Sequence, residues 1–114
     1  RKHATRFRVD PKRLSVMGHS FGGYAALRTG AEEKSLSCVV ALSAANPAAI
    51  ARSKRGDESF EANIGKYVDQ LFMLNNFSGK QAIKELRKHQ KEMDTTTFGP
   101  RLKGKNIYIK LSYK

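Results

Sequence analysis

The run Gly18–Gly23 is the feature that most constrains what this chain can fold into. It reads Gly-His-Ser-Phe-Gly-Gly, which fits the pattern G-x-S-x-G, and it is called the elbow below. A short β-prone run, Leu14–Met17, precedes it, and a helix-like run, Tyr24–Thr29, follows it. Glycines at these positions permit a sharp strand-to-helix turn above the end of a parallel sheet. The elbow therefore predicts an α/β fold that turns at Ser20.

Short apolar runs and helical patterns alternate along the rest of the chain. The run Leu36–Leu42 is almost unbroken in hydrophobicity, which is typical of a strand covered on both faces of a parallel sheet. A third strand is predicted to begin at Ile107–Ile109, after a break at Gly99 and Pro100, and the first helix is predicted to end at Gly30. This order predicts a mostly parallel sheet flanked by helices.

The region between the second and third predicted strands has a helical pattern. Apolar side chains recur at helical spacing from Phe60 to Phe72, and Asn75–Phe77 is predicted to end this helix. Ser78 and Gln81 have the spacing of a capping box for a further helix. We therefore predict three segments: an elbow core at residues 1–47, a helical insertion at residues 48–98, and a return to the core strand at residues 99–114.

The elbow places a serine where acyl-transfer chemistry needs one. A serine held in a strained turn at a helix start presents its hydroxyl as a nucleophile, and the next backbone N–H points to where an oxyanion would form. We predict Ser20 as the nucleophile and the backbone N–H of Phe21 as an oxyanion donor. Gly18 and Gly22 are predicted to avoid side-chain clashes, and Gly23 to let the helix pack closely on the sheet. An ordinary tight turn is the alternative interpretation.

The sequence lacks the patterns of several other sites. No Gly-Lys-Ser or Gly-Lys-Thr follows the glycines and G-x-G-x-x-G is absent from the elbow, which excludes a phosphate loop and a dinucleotide fingerprint there. No cluster has metal-ligand spacing, and no cofactor is predicted. His19 is predicted to be packed and His89 to be a solvated helix residue, neither of them a catalytic base. Cys38, the single cysteine, is predicted to be a buried structural thiol.

Charge and hydropathy limit the classes of partner. The net charge is +12, and residues 1–13 and 101–114 each contribute +5. No basic stripe interleaved with aromatics accompanies these charges, so a solvated surface is favoured over a face that binds nucleic acid or another anion. No apolar run approaches the roughly 20 residues that cross a bilayer. The chain begins at Arg1 without a signal-like segment, so we expect that the native N-terminus precedes it, and neither location nor oligomeric state is predicted.

The stretch Val9–Pro47 resembles α/β-hydrolases of the prolyl-oligopeptidase-like and dienelactone-hydrolase-like branch. Residues Asp10–Gly23 fit the pattern D-x-x-[KR]-[IL]-x-[VL]-x-G-x-S-x-G-G of that branch. The resemblance implies a serine hydrolase that cleaves ester or amide bonds of a small-molecule ester or peptide through an acyl-enzyme on Ser20. It also implies that the helical insertion is a lid over the site, and that residues 103–109 form the strand before the loop that carries the catalytic acid.

The chain departs from the family pattern after this strand. In the family an acid follows the strand and a histidine comes later, whereas here no acidic residue follows Asp94 and no histidine follows His89. We therefore expect a central fragment of a larger hydrolase, inactive or nearly so on its own, whose acid and base lie outside residues 1–114. A non-catalytic α/β-hydrolase-like binding or interaction module is the alternative.

Overall fold

Three parallel strands and five α-helices make up the described part of the chain. The computed structural model describes residues 2–52 and 58–111. The strands form one sheet in the order β1-β2-β3, with β1 at Leu14–His19, β2 at Leu36–Leu42 and β3 at Asn106–Lys110. Both pairings are parallel, and helix α1 (Phe21–Glu32) connects β1 to β2. The predicted α/β fold, a parallel sheet flanked by helices, is confirmed.

The chain divides into two compact units. The first unit comprises residues 1–45 and 95–114 and contains the sheet and α1. The second unit, residues 46–94, contains three helices, α2 (Pro47–Arg52), α3 (Glu58–Asp69) and α4 (Gly79–Lys88). A 3-10 helix (Thr95–Phe98) and helix α5 (Gly99–Leu102) then lead to β3 in the first unit. That residues 48–98 act as a lid stays a prediction.

The core of the first unit lies between α1, β2 and the 3-10 helix. Val39 of β2 is 0% exposed and Phe98 is 1% exposed, and the rings of Phe98 and Tyr24 lie 6.2 Å apart between centroids. Gly30 lies inside α1, so the prediction that the helix ends there is wrong. A Cβ on Gly30 would lie 2.4 Å from Cγ2 of Val39, so this glycine serves the close approach of α1 to β2.

Side-chain caps and close helix packing organise the second unit. The predicted capping box is confirmed, since Ser78 accepts from the N–H of Gln81 while the Gln81 side chain accepts from the N–H of Ser78. Helix α3 ends at Asp69, several residues before the predicted end, and Oδ1 of Asp69 accepts from Gly79 N at 2.7 Å. A Cβ on Gly79 would lie 2.1 Å from Gly65 O, so α3 and α4 cross in near backbone contact.

The two ends of the second unit are joined to each other. Asn46 Nδ2 donates to Asp94 Oδ1 at 3.2 Å, and the Arg52 guanidinium pairs with the other oxygen of the same carboxylate. The predicted break at Gly99 and Pro100 is instead the first turn of α5, where a proline is tolerated because that N–H has no helical acceptor. Within the described residues no helix is both long and apolar enough to cross a membrane.

Candidate active site

Ser20 is the single residue between β1 and α1, and its backbone conformation is unusual. It is the N-cap of α1 and has φ 56° and ψ −120°, outside the regions that residues with a side chain normally occupy. A strained non-glycine residue of this kind costs about 1–3 kcal/mol and persists only where its surroundings fix it. Such strain is concentrated at functional sites, which makes this position a candidate for one.

Four backbone hydrogen bonds fix the conformation of Ser20. Its N–H donates to Leu42 O at 2.9 Å, at the end of β2. Its carbonyl accepts from Ala45 N at 3.0 Å, and also from Gly23 N at 3.0 Å and Tyr24 N at 3.2 Å in the first turn of α1. The contacts from Leu42 and Ala45 could not be predicted from sequence, because backbone groups of any residue can make them.

The Ser20 hydroxyl is not used to cap the helix that it begins. An N-cap serine usually accepts a hydrogen bond from a first-turn N–H, but α1 has no side-chain cap, and Ser20 is exposed. The N–H groups of Phe21 and Gly22 therefore open α1 as donors without a helical acceptor, as at any helix start. An exposed hydroxyl beside free donors at the positive end of a helix is an arrangement suited to attack and to stabilising the resulting anion.

The three glycines of the elbow have different roles. A Cβ on Gly18 would lie 2.0 Å from Gly22 O, and a Cβ on Gly23 would lie 2.9 Å from Cα of Ala44. Gly18 is therefore required by the turn, as predicted, and Gly23 is required by the loop after β2. A Cβ on Gly22 would meet no heavy atom within 4 Å apart from its chain neighbours and the backbone of α1, so the prediction that Gly22 avoids a clash is wrong.

Aromatic packing holds the first two turns of α1. The Phe21 ring is 58% exposed, and its centroid lies 5.3 Å from that of Tyr24, which is buried. The Tyr24 hydroxyl accepts from Arg28 at 3.1 Å, and this bond, followed by the bond to Glu32, raises the pKa of Arg28 above its usual value. Phe21, the residue after Ser20, thus presents an apolar ring to solvent while packing against the buried Tyr24.

The loop after β2 lies next to the elbow at the carboxyl edge of the sheet. Ser43 also has a positive φ, 46°, as do Arg8 and Asn76, and its N–H donates to Lys110 O at 2.6 Å. Ligands of open α/β sheets bind at the carboxyl ends of the strands. Ser20 after β1 and Ser43 after β2 are therefore neighbours at the edge where such a ligand would bind, and no sequence motif marks Ser43.

The histidines and the cysteine differ from their predicted surroundings. His19 is exposed rather than packed. His89 follows α4 in the second unit, with its ring nitrogens 3.4 Å from Glu85 and 3.3 Å from Glu92. Cys38 in β2 is a free thiol that is half-buried rather than fully buried. Residues 2–52 and 58–111 contain no group of three or more His, Cys, Asp or Glu side chains that could hold a metal ion.

A family model matches the part of the chain that builds this site. It describes platelet-activating factor acetylhydrolase, isoform II, a family of the α/β-hydrolase clan, and it matches residues 4–46. The match covers β1, the elbow, α1 and β2, which is less than half of the 114-residue chain. Neither the curated proteins nor the solved structures contain a match to the chain. The chain is thus similar to an acetylhydrolase family over the elbow region.

Proposed function

We propose that the chain carries the nucleophile and one oxyanion donor of an α/β-hydrolase-type serine hydrolase. The observation that carries this proposal is the strained backbone of Ser20 at the junction of β1 and α1. Four hydrogen bonds over-determine that conformation while the hydroxyl stays exposed and uncommitted to the helix. The match to an acetylhydrolase family over the same residues supports the proposal independently.

The proposed reaction is acyl transfer in two steps. Ser20 Oγ attacks the substrate carbonyl carbon while a general base takes its proton, and the carbonyl oxygen becomes an oxyanion that accepts from the N–H of Phe21. Collapse of this intermediate expels the alcohol or amine, which takes up the proton, and leaves an acyl group on Ser20. Water then attacks the acyl-enzyme by the same route and releases the acid. We assign Ser20 and Phe21 to these steps and assign no base.

We propose an ester rather than an amide as the substrate. The similar family is an acetylhydrolase, and its name therefore points to removal of a short acyl group. The exposed ring of Phe21 adjoins the nucleophile and offers an apolar contact for such a group. A peptide or other amide is the second possibility, because the same acyl-enzyme chemistry cleaves both bonds.

Covalent labelling of the full-length protein tests the assignment of Ser20. A fluorophosphonate probe is expected to label the protein, and Ser20→Ala is expected to abolish labelling and to lower kcat/KM for p-nitrophenyl acetate by about 10³-fold or more. The matched control is Ser15→Ala, which removes an exposed hydroxyl from the other end of β1. That control is expected to keep both labelling and turnover.

Two results would contradict the proposal. Labelling that persists in Ser20→Ala would place the nucleophile elsewhere. A folded protein that neither reacts with the probe nor hydrolyses the ester would favour the alternative of a non-catalytic binding module on the same fold.

A further inference from the structure

A basic groove lies in the first unit at the opposite end of the strands from the elbow. It has a volume of about 870 Å³ and is formed by the end of α1, the turn into β2 and the segment from α5 to β3. Its polar side chains are four cations, two serines and one carboxylate, which are Lys34, Arg101, Lys103, Lys105, Ser35, Ser37 and Glu32. The volume falls within the range of roughly 300–1,000 Å³ that small-ligand sites occupy. Because the groove opens at the amino ends of β2 and β3, it is separate from the carboxyl edge that holds Ser20.

Lys105 shapes the groove. Its Nζ donates to Leu36 O at 2.7 Å, to Glu33 O at 3.0 Å and to Lys34 O at 3.2 Å. These carbonyls follow the carboxyl end of α1, where the helix dipole and the free carbonyls repel anions. Because the Lys105 ammonium group donates to all three carbonyls, it offsets their negative potential, and this side of the groove does not repel a negatively charged ligand.

Arg101 is held in place by an aromatic ring. Its guanidinium carbon lies 5.2 Å from the centroid of Phe98, which is 1% exposed. A guanidinium over a fixed ring loses less conformational freedom on binding than a free surface arginine, and its planar set of donors matches two phosphate oxygens at once. Lys34 and Lys103 are exposed and add two more ammonium groups to the same lining.

Glu32 in the lining and Glu33 beside it both have donors of their own. Glu32 Oε1 lies 3.0 Å from Nε of Arg28 in a salt bridge along α1. Glu33 Oε1 accepts from the N–H of Ser35 at 3.0 Å and from the Ser35 hydroxyl. The positive side chains of the lining therefore outnumber the negative ones, and the field in the groove favours an anion.

We propose that this groove binds a small phosphorylated ligand, through Lys34, Lys103 and Arg101. Hydrogen bonds from ammonium and guanidinium groups to phosphate oxygens carry charge on both sides, which makes them roughly twice as strong as neutral ones. A nucleic acid is disfavoured because the lining contains no aromatic side chain on which bases could stack. The concave shape and limited volume favour a soluble ligand over the surface of a bilayer.

Pyrophosphate titration of the full-length protein tests this assignment. Calorimetry measures the affinity, and the NMR amide signals of Ser35 and Ser37 report where the ligand binds. The double variant Lys34→Gln with Lys103→Gln is expected to raise Kd by about tenfold or more. The matched control, Lys84→Gln with Lys91→Gln, makes the same change of charge on exposed residues of the second unit. It is expected to change Kd by less than about twofold, because neither lysine lines the groove and exposed charges are screened at physiological salt.

The same experiment separates the groove from weaker explanations. Equal losses in the two double variants would show attraction to net charge alone and would overturn the proposal. Absence of pyrophosphate binding would overturn it also, and so would binding that leaves the Ser35 and Ser37 signals unchanged. Sedimentation with phosphatidylserine vesicles forms a second arm of the experiment. If the protein does not bind pyrophosphate but binds these vesicles, and Lys34→Gln with Lys103→Gln abolishes vesicle binding, the groove is assigned to a membrane surface instead. Retained hydrolysis in these variants would keep the result independent of the Ser20 assignment.

Discussion

Alanine at Gly18 and alanine at Gly22 are expected to have opposite effects, although both glycines belong to the elbow. A Cβ on Gly18 would lie 2.0 Å from Gly22 O, 2.3 Å from Gly22 C and 2.8 Å from Gly23 N. All three are backbone atoms, so the clash is relieved only by opening the turn. Overpacking of this kind costs about 1–3 kcal/mol. Opening the turn also weakens the hydrogen bonds of Ser20 to Leu42 and Ala45, at about 1 kcal/mol each.

The two costs together predict that Gly18→Ala lowers the free energy of unfolding by about 3–5 kcal/mol. Gly22→Ala places its Cβ in open space within the first turn of α1. Alanine is favoured over glycine by up to about 1 kcal/mol in a helix, so this change is expected to stabilise the protein by about 0.5 kcal/mol. Urea denaturation followed by circular dichroism measures both changes, and thermal melting should separate the two variants by more than about 10 °C.

Two results would contradict the prediction for Gly18→Ala and Gly22→Ala. If Gly22→Ala destabilises the protein as much as Gly18→Ala, the space beside Gly22 is filled and the turn at Ser20 has a different geometry. If Gly18→Ala is neutral, the sharp turn at Ser20 is absent, and Ser20 is not held as a nucleophile.

Two further predictions concern packing and hydrogen bonding in the first unit. Phe98→Ala should lower the free energy of unfolding by about 3–5 kcal/mol because the ring is 1% exposed, whereas Phe72→Ala, at a side chain that is 93% exposed, should leave it nearly unchanged; similar losses in both would contradict the described core. Lys105→Met should cost about 1.5–3 kcal/mol because three carbonyls lose their donor, and Lys103→Met should cost less than about 0.5 kcal/mol in the same denaturation assay; equal costs would show that the ammonium contacts contribute nothing.

The strand-to-helix turn at Ser20 could be predicted from sequence because its signals are local. Gly18 and Ser20 are two residues apart, and the turn that they form needs no distant partner to be recognised. Gly30 shows the opposite case. Glycine is common both at helix ends and at close contacts with a strand, and only the position of Val39 in the folded sheet decides between them.

Other features could not be predicted because they depend on contacts between segments that are far apart in sequence. Apolar spacing continues to Phe72, yet α3 ends at Asp69, whose carboxylate accepts from the start of the next helix. The backbone bond from Ala45 to Ser20 has no side-chain signature at all. The basic residues of the last segment were visible in the sequence, but their position around a groove depends on the close pairing of β3 with β2.

The hydrogen bond between Asn46 and Asp94 has a consequence for how the protein folds. β2 and β3 pair in parallel although the whole second unit separates them in sequence, and long-range pairing of this kind slows folding. Once the second unit has folded, its first and last residues are 3.2 Å apart between side-chain atoms, so it joins Ala45 to Thr95 as a short connection would. The free-energy cost of closing the loop between β2 and β3 then falls by about 1 kcal/mol. We expect β3 to join the sheet after both β1-α1-β2 and the helical unit have formed. The contacts of Asp94 therefore increase the rate at which β3 pairs with β2.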